Sequence, residues 1–464
     1  MTKDIDRPGT LIVSNQQIKM SNEGSDHKIS TIIQQKISGL SDIKSEEQCI
    51  FKVYGKLRSQ NEEAYEPQVL SIGPYHRGKS NLKKLENHKL GYLQELLDRK
   101  KEKSLDEYIN ALKELKDRAR KCYAEEIRLS GDEFVEMMCL DGCFIIQFLR
   151  KWIDVQLRVD DPIFQMSWLP YNILRDLILF ENQIPFFILA ELFDLAKVEG
   201  ENLINLALQL CSPLMSFYGP TLNYKTISQD EVIHLLDLLH KGWCYSYSAT
   251  LDPKEYDPCN CKNDSRLEYI KSITELQQSG IKFATEDNDK SKSWLHISFK
   301  DGKIMIPPMT VSHRTESVFR NLIAYEQYYM ARQSHNHSHS HSHRRYVTDY
   351  AMFMDLLINS PMDVENLRHC QIFKIRLGDD EVVSNMFNRL IREISLNDQM
   401  FCYLEVFKEV NKYSSRRRNI WRAHLMRNYF STPWAIISFL AAVILLFLTS
   451  VQTIFSIYPG GKND

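Results

Sequence analysis

The sequence predicts a mainly α fold: a helical globular body with a small β-hairpin element and one C-terminal transmembrane helix. Three observations carry that expectation. Apolar residues recur at helical spacing through most of the chain, one short stretch alternates around Asp301-Gly302, and Trp434 to Ile457 runs 24 residues without a charge. The 464 residues, 43% hydrophobic and 25% charged, suffice for two domains or one large one. A formal net charge of −2 lacks the basic excess of a nucleic-acid binder, so no nucleic-acid partner is expected.

Residues 1–45 are polar and mixed in charge, without the apolar run of a secretory signal. They read as a mobile tail with a short helix near Ile29 to Leu40. The body, 46–429, is mostly helix. Leu105, Tyr108, Ile109, Leu112 and Leu115 mark one apolar stripe. Phe134 to Trp152 is apolar nearly all round and reads as a central buried helix. Ile173 to Phe180 continues in that style up to Asn182-Gln183-Ile184-Pro185, and Pro185 is expected to open a further helix, Phe186 to Leu195, capped by Asn182 or a neighbour.

Leu295, Ile297 and Phe299 alternate with polar residues, Asp301-Gly302 follows, and Ile304 and Ile306 alternate again. A two-residue Asp-Gly turn between such runs is a strong hairpin signal, and Ile281 to Ala284 is a candidate third strand. Val347 to Ile358 forms another helical stripe, stopped by Pro361. Val383 to Ile394 forms the next, opened by Asp379 or Asp380.

The span 433–458 is long enough for a hydrocarbon core of about 30 Å with some tilt. Trp434 and Tyr458 stand at its two interfaces, and 459–464 is a short polar tail. Arg416, Arg417, Arg418, Arg422 and Arg427 crowd its N-terminal side. The positive-inside rule therefore places the bulk in the cytosol, as a single-pass protein with the lipid bilayer as one partner; the plasma membrane is the expected address, with an internal membrane as the alternative. Ten cysteines are scattered singly, which fits a reducing compartment.

Several motifs resemble the plant domain-of-unknown-function 247 family. They begin with Tyr65-Glu66-Pro67, Ser71-Ile72-Gly73-Pro74-Tyr75-His76-Arg77-Gly78 and Leu85-Glu86-Asn87-His88-Lys89. Leu140-Asp141-Gly142-Cys143-Phe144-Ile145, Glu181-Asn182-Gln183-Ile184-Pro185-Phe186-Phe187 and Ile306-Pro307-Pro308 follow. Phe319 to Gln327 and Tyr429 to Ile436 complete the series. Tyr54 stands where the family usually has proline, and the alternating histidines from His335 to His343 are an unusual insertion. The resemblance implies a C-terminal membrane segment and a recognition role, and supplies no catalytic residue and no cofactor.

One polar constellation stands out: Glu86, His88 and Lys89 with Asp141, Glu181 and Asn182. Asp141 lies within an apolar helix, where an ionised carboxylate needs a partner such as Lys89 or His88. Glu86 and Lys89, three apart, can pair on one helical face. An acid, a histidine and a lysine in one cleft can perform acid–base work. The plainer reading has these groups capping or bridging helices and satisfying backbone at the Pro185 break.

Gly73 to Gly78 lacks phosphate-loop spacing and reads as a rigid turn rather than an anion site on Arg77. Cys259-x-Cys261, even with Cys244 as a third ligand, falls short of a four-ligand zinc set. No G-x-S-x-G, H-E-x-x-H or dinucleotide glycine motif occurs. The expectation is a membrane-anchored recognition or signalling component acting through contacts with a protein partner, without catalysis, cofactor or metal. The alternative is a membrane-tethered hydrolase or transferase with a carboxylate–histidine site around Glu86, His88 and Asp141.

Overall fold

A helix that is apolar all round needs neighbours on every side, and Gly131–Ile153 has them. In the computed structural model this helix (α3) is surrounded by α1 (Lys83–Arg99), α2 (Leu105–Lys121), α5 (Phe186–Ala196) and α6 (Leu203–Gln209). The structure describes residues 29–34, 47–99, 102–210, 227–248, 269–285, 293–333, 345–394, 401–428 and 433–457. The chain divides at Gln48/Cys49. Of the first unit, 29–34 are helical, and most of the segment expected as a mobile tail lies outside the described residues.

Sequence signals set several boundaries. Reciprocal capping boxes, Ser104 with Glu107 and Ser130 with Glu133, open α2 and α3. The stripe expected to continue from Ile173 to Phe180 ends earlier, because α4 covers Leu169–Asp176 only. Side-chain amides there replace the helical bonds: Gln183 Nε2 donates to the Leu177 and Leu179 carbonyls, and Asn182 Nδ2 donates to that of Asp176. Asn182 is thereby drawn away from the capping role expected of it, and α5 begins after Pro185 with no side-chain cap.

The second half is built on α9 (Thr315–Gln333), which packs against α7 (Leu235–Ser248), α10 (Tyr346–Leu357) and α12 (Asp380–Leu390). Short helices α8 (Ile273–Gln278) and α11 (Pro361–His369) pack against each other. Pro361 does more than end α10: at the first turn of α11, behind the Ser360–Asp363 capping box, its missing N–H costs nothing. Asp379 caps α12 by accepting from the Glu381 amide.

The expected β element is present. β2 (Ser298–Lys300) pairs antiparallel with β3 (Lys303–Ile306), and β1 (Lys282–Thr285) joins β3 in parallel, giving the order β1-β3-β2. Asp301 and Gly302 both take positive φ, as the tight turn demands. A second sheet, β4 (Met309–Val311) parallel to β5 (Phe373–Ile375), has no forerunner in the sequence pattern. Its three-residue strands lie far apart in the chain and no local turn announces them. Helices α13 (Leu404–Ser414), α14 (Arg417–Asn428) and α15 (Pro433–Ile457) follow. Trp434–Ile457 has a mean hydropathy of 2.5 and is long and apolar enough to cross a membrane.

Candidate functional site

The sequence-derived constellation resolves into two sets of contacts, one along the segment Leu70 to Gly73 and one around Glu181. Lys89, buried on α1, directs its ammonium at Asp141 Oδ1, Glu86 Oε1 and the Ser71 carbonyl, each at 2.7 Å. Those three acceptors match its three protons. Asp141 also accepts the Gly73 amide at 2.8 Å. Burial raises its pKa, with Lys89 working in the opposite sense. His88 is half-buried on the same helix and makes no hydrogen bond to this cluster among the described residues.

Glu181 faces other partners. Its Oε1 accepts from the Val53 amide at 2.8 Å and from Arg58 Nη1 at 2.7 Å, while His76 Nε2 lies 3.4 Å from Oε2. Burial alone would lift its pKa, but His76, the Val53 amide and Arg58 hold it below the ordinary value. Asn182 accepts from the Ile72 amide and donates to the Leu70 carbonyl. Asp176, which the sequence did not single out, receives the Gln68, Val69 and Leu70 amides. A cavity of about 330 Å³ opens beside Ser71, Arg77, Lys79, Lys83 and Glu86. Every one of these buried acids orders backbone.

A different cluster has the geometry of a chemical centre. His240 and Cys244 are four apart on α7 and so share a face. Helix α7 starts with a reciprocal cap in which the Asp237 amide donates to His234 Nδ1 and the Ile233 amide to Asp237 Oδ2. The Tyr325 hydroxyl on α9 donates to Asp237 Oδ1 at 2.6 Å, and this bond sets the neighbouring Glu326 against α7. His240 Nε2 then lies 2.7 Å from Glu326 Oε1 and 3.6 Å from Cys244 Sγ. One ligand atom from each residue falls within 4.8 Å of the others, and all three residues are buried.

The electrostatics of this cluster are coupled. Burial opposes charge on His240, yet Cys244 and Glu326 together hold its pKa well above the usual imidazole value. Burial pushes the Cys244 thiol up, against the influence of His240. Glu326 also holds backbone. Its Oε1 accepts the Val347 amide, and its Oε2 accepts both the amide and the hydroxyl of Thr348. The first turn of α10 is thus anchored to the same carboxylate.

A thiol–imidazole–carboxylate relay needs its acid and its nucleophile on opposite ring nitrogens. Here both meet Nε2, and the ligand atoms of the three residues lie within 4.8 Å of one another, a grouping that could hold a cation. Imidazole, thiolate and carboxylate are the ligand types of zinc. Tetrahedral zinc would place nitrogen and sulfur about 3.6 Å apart and nitrogen and oxygen about 3.4 Å apart. The first spacing is already present and the second requires a modest opening.

This finding corrects the expectation of a protein acting through contacts alone, without catalysis. It favours the alternative of an acid–histidine hydrolase or transferase, with His240, Cys244 and Glu326 as a candidate centre. The i, i+4 spacing of His240 and Cys244 was the available signal; Glu326 arrives from 82 residues further along α9. Cys259, Cys261 and the histidines from His335 to His343 lie outside the described residues.

Comparison with known proteins gives a consistent relationship. Residues 50–448 match the family model DUF247, described as plant protein of unknown function. A UPF0481 protein of Arabidopsis thaliana is 31% identical over 425 residues, covering 87% of this chain and 85% of its own. A putative UPF0481 protein from the same plant is 24% identical over 488 residues, covering 87% and 89%. No solved structure matches the chain.

Proposed function

The chain belongs to the plant DUF247 family, and from that premise we propose that it is a membrane-attached, metal-dependent hydrolase or transferase centred on His240, Cys244 and Glu326. Membership carries no activity with it, so the reading rests on the site. The observation that carries it is the convergence of three buried ligand atoms of zinc-binding type. Three protein ligands leave a fourth position for water or substrate. A cation there would polarise a carbonyl or phosphoryl oxygen and acidify a bound water.

Attachment rests on α15. Leu445, Leu446, Phe447 and Phe455 are each more than 65% exposed, which is untenable in water and favourable in lipid. A single pass with the body in the cytosol is supported by the arginines that precede the helix. At about 36 Å the span suits the thicker plasma membrane.

The test uses the full chain in detergent. Its metal content is measured after purification, after chelation and after zinc is restored, alongside hydrolysis of a panel of activated acyl and phosphoryl esters. About one zinc per chain, with hydrolysis lost and regained in step, is the expected result. Stoichiometric zinc without hydrolysis of any ester would make the centre structural and overturn the enzyme reading. Absence of bound metal at any zinc concentration would overturn the centre itself.

A further inference from the structure

Helix α14 packs against α8 and α13, and its described side chains leave one face bare. Asn419 faces inward, with Nδ2 donating to the Tyr413 carbonyl at 2.7 Å. Arg417, Arg418, Ile420, Trp421 and Leu425 are exposed, with Trp421 at 76%. At about 100° per residue, these five positions occupy an arc of roughly 160°. Trp421 lies near its middle, with Arg417 on one side of the ring and Leu425 and Arg418 on the other.

Isolated, an exposed tryptophan would mean little. Here it is the centre of a face whose composition, aromatic and aliphatic side chains among guanidinium groups, is that of helices lying in a membrane interface. The position is equally specific. Four residues separate Asn428 from Pro433, where α15 begins. That connection reaches at most about 18 Å, so α14 stays close to the headgroups wherever α15 enters lipid. Segment 404–428 carries Lys408, Lys412, Arg416, Arg417, Arg418, Arg422 and Arg427 against Glu405 and Glu409.

We propose that this face of α14 docks on the anionic lipid surface of the membrane that α15 crosses. The inference rests on α15 being the anchor. Trp421 and Leu425 enter the headgroup boundary while Arg417 and Arg418 meet lipid phosphates and carboxylates. Two attachments, one spanning and one lying flat, restrict rotation of the body about the span.

The experiment reconstitutes the full chain in vesicles containing brominated phosphatidylcholine, with or without about 30 mol% phosphatidylserine. Tryptophan quenching is read as the difference between wild type and Trp421→Phe, which isolates that ring. A matching Trp434→Phe difference reports the anchor. Trp421 is expected to be quenched in anionic vesicles and several-fold less in neutral ones. Each arginine at an anionic surface shifts the docked ratio about five-fold. Arg417→Glu with Arg418→Glu should therefore abolish the Trp421 signal and spare that of Trp434.

Equal quenching of Trp421 in both vesicle types would overturn the electrostatic docking. An unquenched Trp421 beside a quenched Trp434 would overturn the docking and leave the anchor standing. If neither ring is quenched, the anchor itself fails and the docking falls with it.

Discussion

Lys89 Nζ lies 2.7 Å from Asp141 Oδ1 with both residues 1% exposed, and the segment Ser71 to Gly73 is suspended from that pair. The lysine holds the Ser71 carbonyl and the aspartate holds the Gly73 amide. Each charge is the other's compensation in a site that water does not reach. Lys89→Met would leave Asp141 buried and unpaired, at a cost of about 3–5 kcal/mol. Adding Asp141→Asn, which retains an acceptor for Gly73, should recover much of the loss. Thermal melts of both variants in detergent check this; a single-variant cost near zero would show that the pair contributes no order.

Gly73 adopts φ +69°, and a Cβ there would lie 2.5 Å from the Gln183 carbonyl oxygen, which is backbone and cannot swing aside. Gly78 has φ +84° with nothing within 4 Å of its would-be Cβ. Gly78→Ala should therefore cost only the backbone term, about 1 kcal/mol. Gly73→Ala should cost distinctly more, about 3 kcal/mol. Equal costs would mean that contact with Gln183 does not constrain the turn.

What was legible in the sequence is what short-range physics decides. The all-apolar character of Phe134 to Trp152 announced a central helix, and Asp301-Gly302 announced the hairpin that β2 and β3 form. The cost of a lone carboxylate in an apolar helix called for a partner to Asp141, Lys89 or His88, and the packing of α1 on α3 supplies Lys89. The early end of α4 was illegible because Gln183 and Asn182, several residues downstream, take over its carbonyls. The centre at His240 escaped for a similar reason. Two of its ligands share a helix, but the third depends on how α9 packs against α7.

His234 is fully buried, and desolvation depresses its imidazole to about 4, against a smaller opposing pull from Asp237. An unfolded histidine titrates near 6.5. Between those values the unfolded chain binds the extra proton, so His234 contributes stability at neutral pH that is lost as pH falls from about 6.5 to about 4, roughly 3 kcal/mol in all. Asp349 acts in the opposite sense: burial lifts its carboxyl to about 7, with the Cys402 amide opposing, so its burden grows as pH rises from about 4 to about 7. The raw stability curve will show partial cancellation. Subtracting the curve of His234→Asn, which keeps an acceptor for the Asp237 amide, should uncover a positive slope across the acid window. A flat difference would mean that His234 is already protonated when folded.

Glu326 serves two structures at once, and substitutions can separate them. Its two oxygens accept from Val347 and Thr348 at the start of α10 and face His240 across the centre. Glu326→Gln keeps one carbonyl acceptor but turns an amide donor toward donors, so α10 should loosen by about 2–3 kcal/mol. The same change should weaken zinc binding by at least about ten-fold. Cys244→Ala removes only the sulfur, which has no part in anchoring α10. Its metal-free stability should stay within about 1 kcal/mol of wild type, while zinc affinity falls at least as far as in Glu326→Gln. Competition with a chelating dye gives the affinities, and melts with and without zinc give the stabilities. Wild-type zinc affinity in Cys244→Ala would remove the thiolate from the ligand set and leave His240 and Glu326 as a helix-anchoring ion pair.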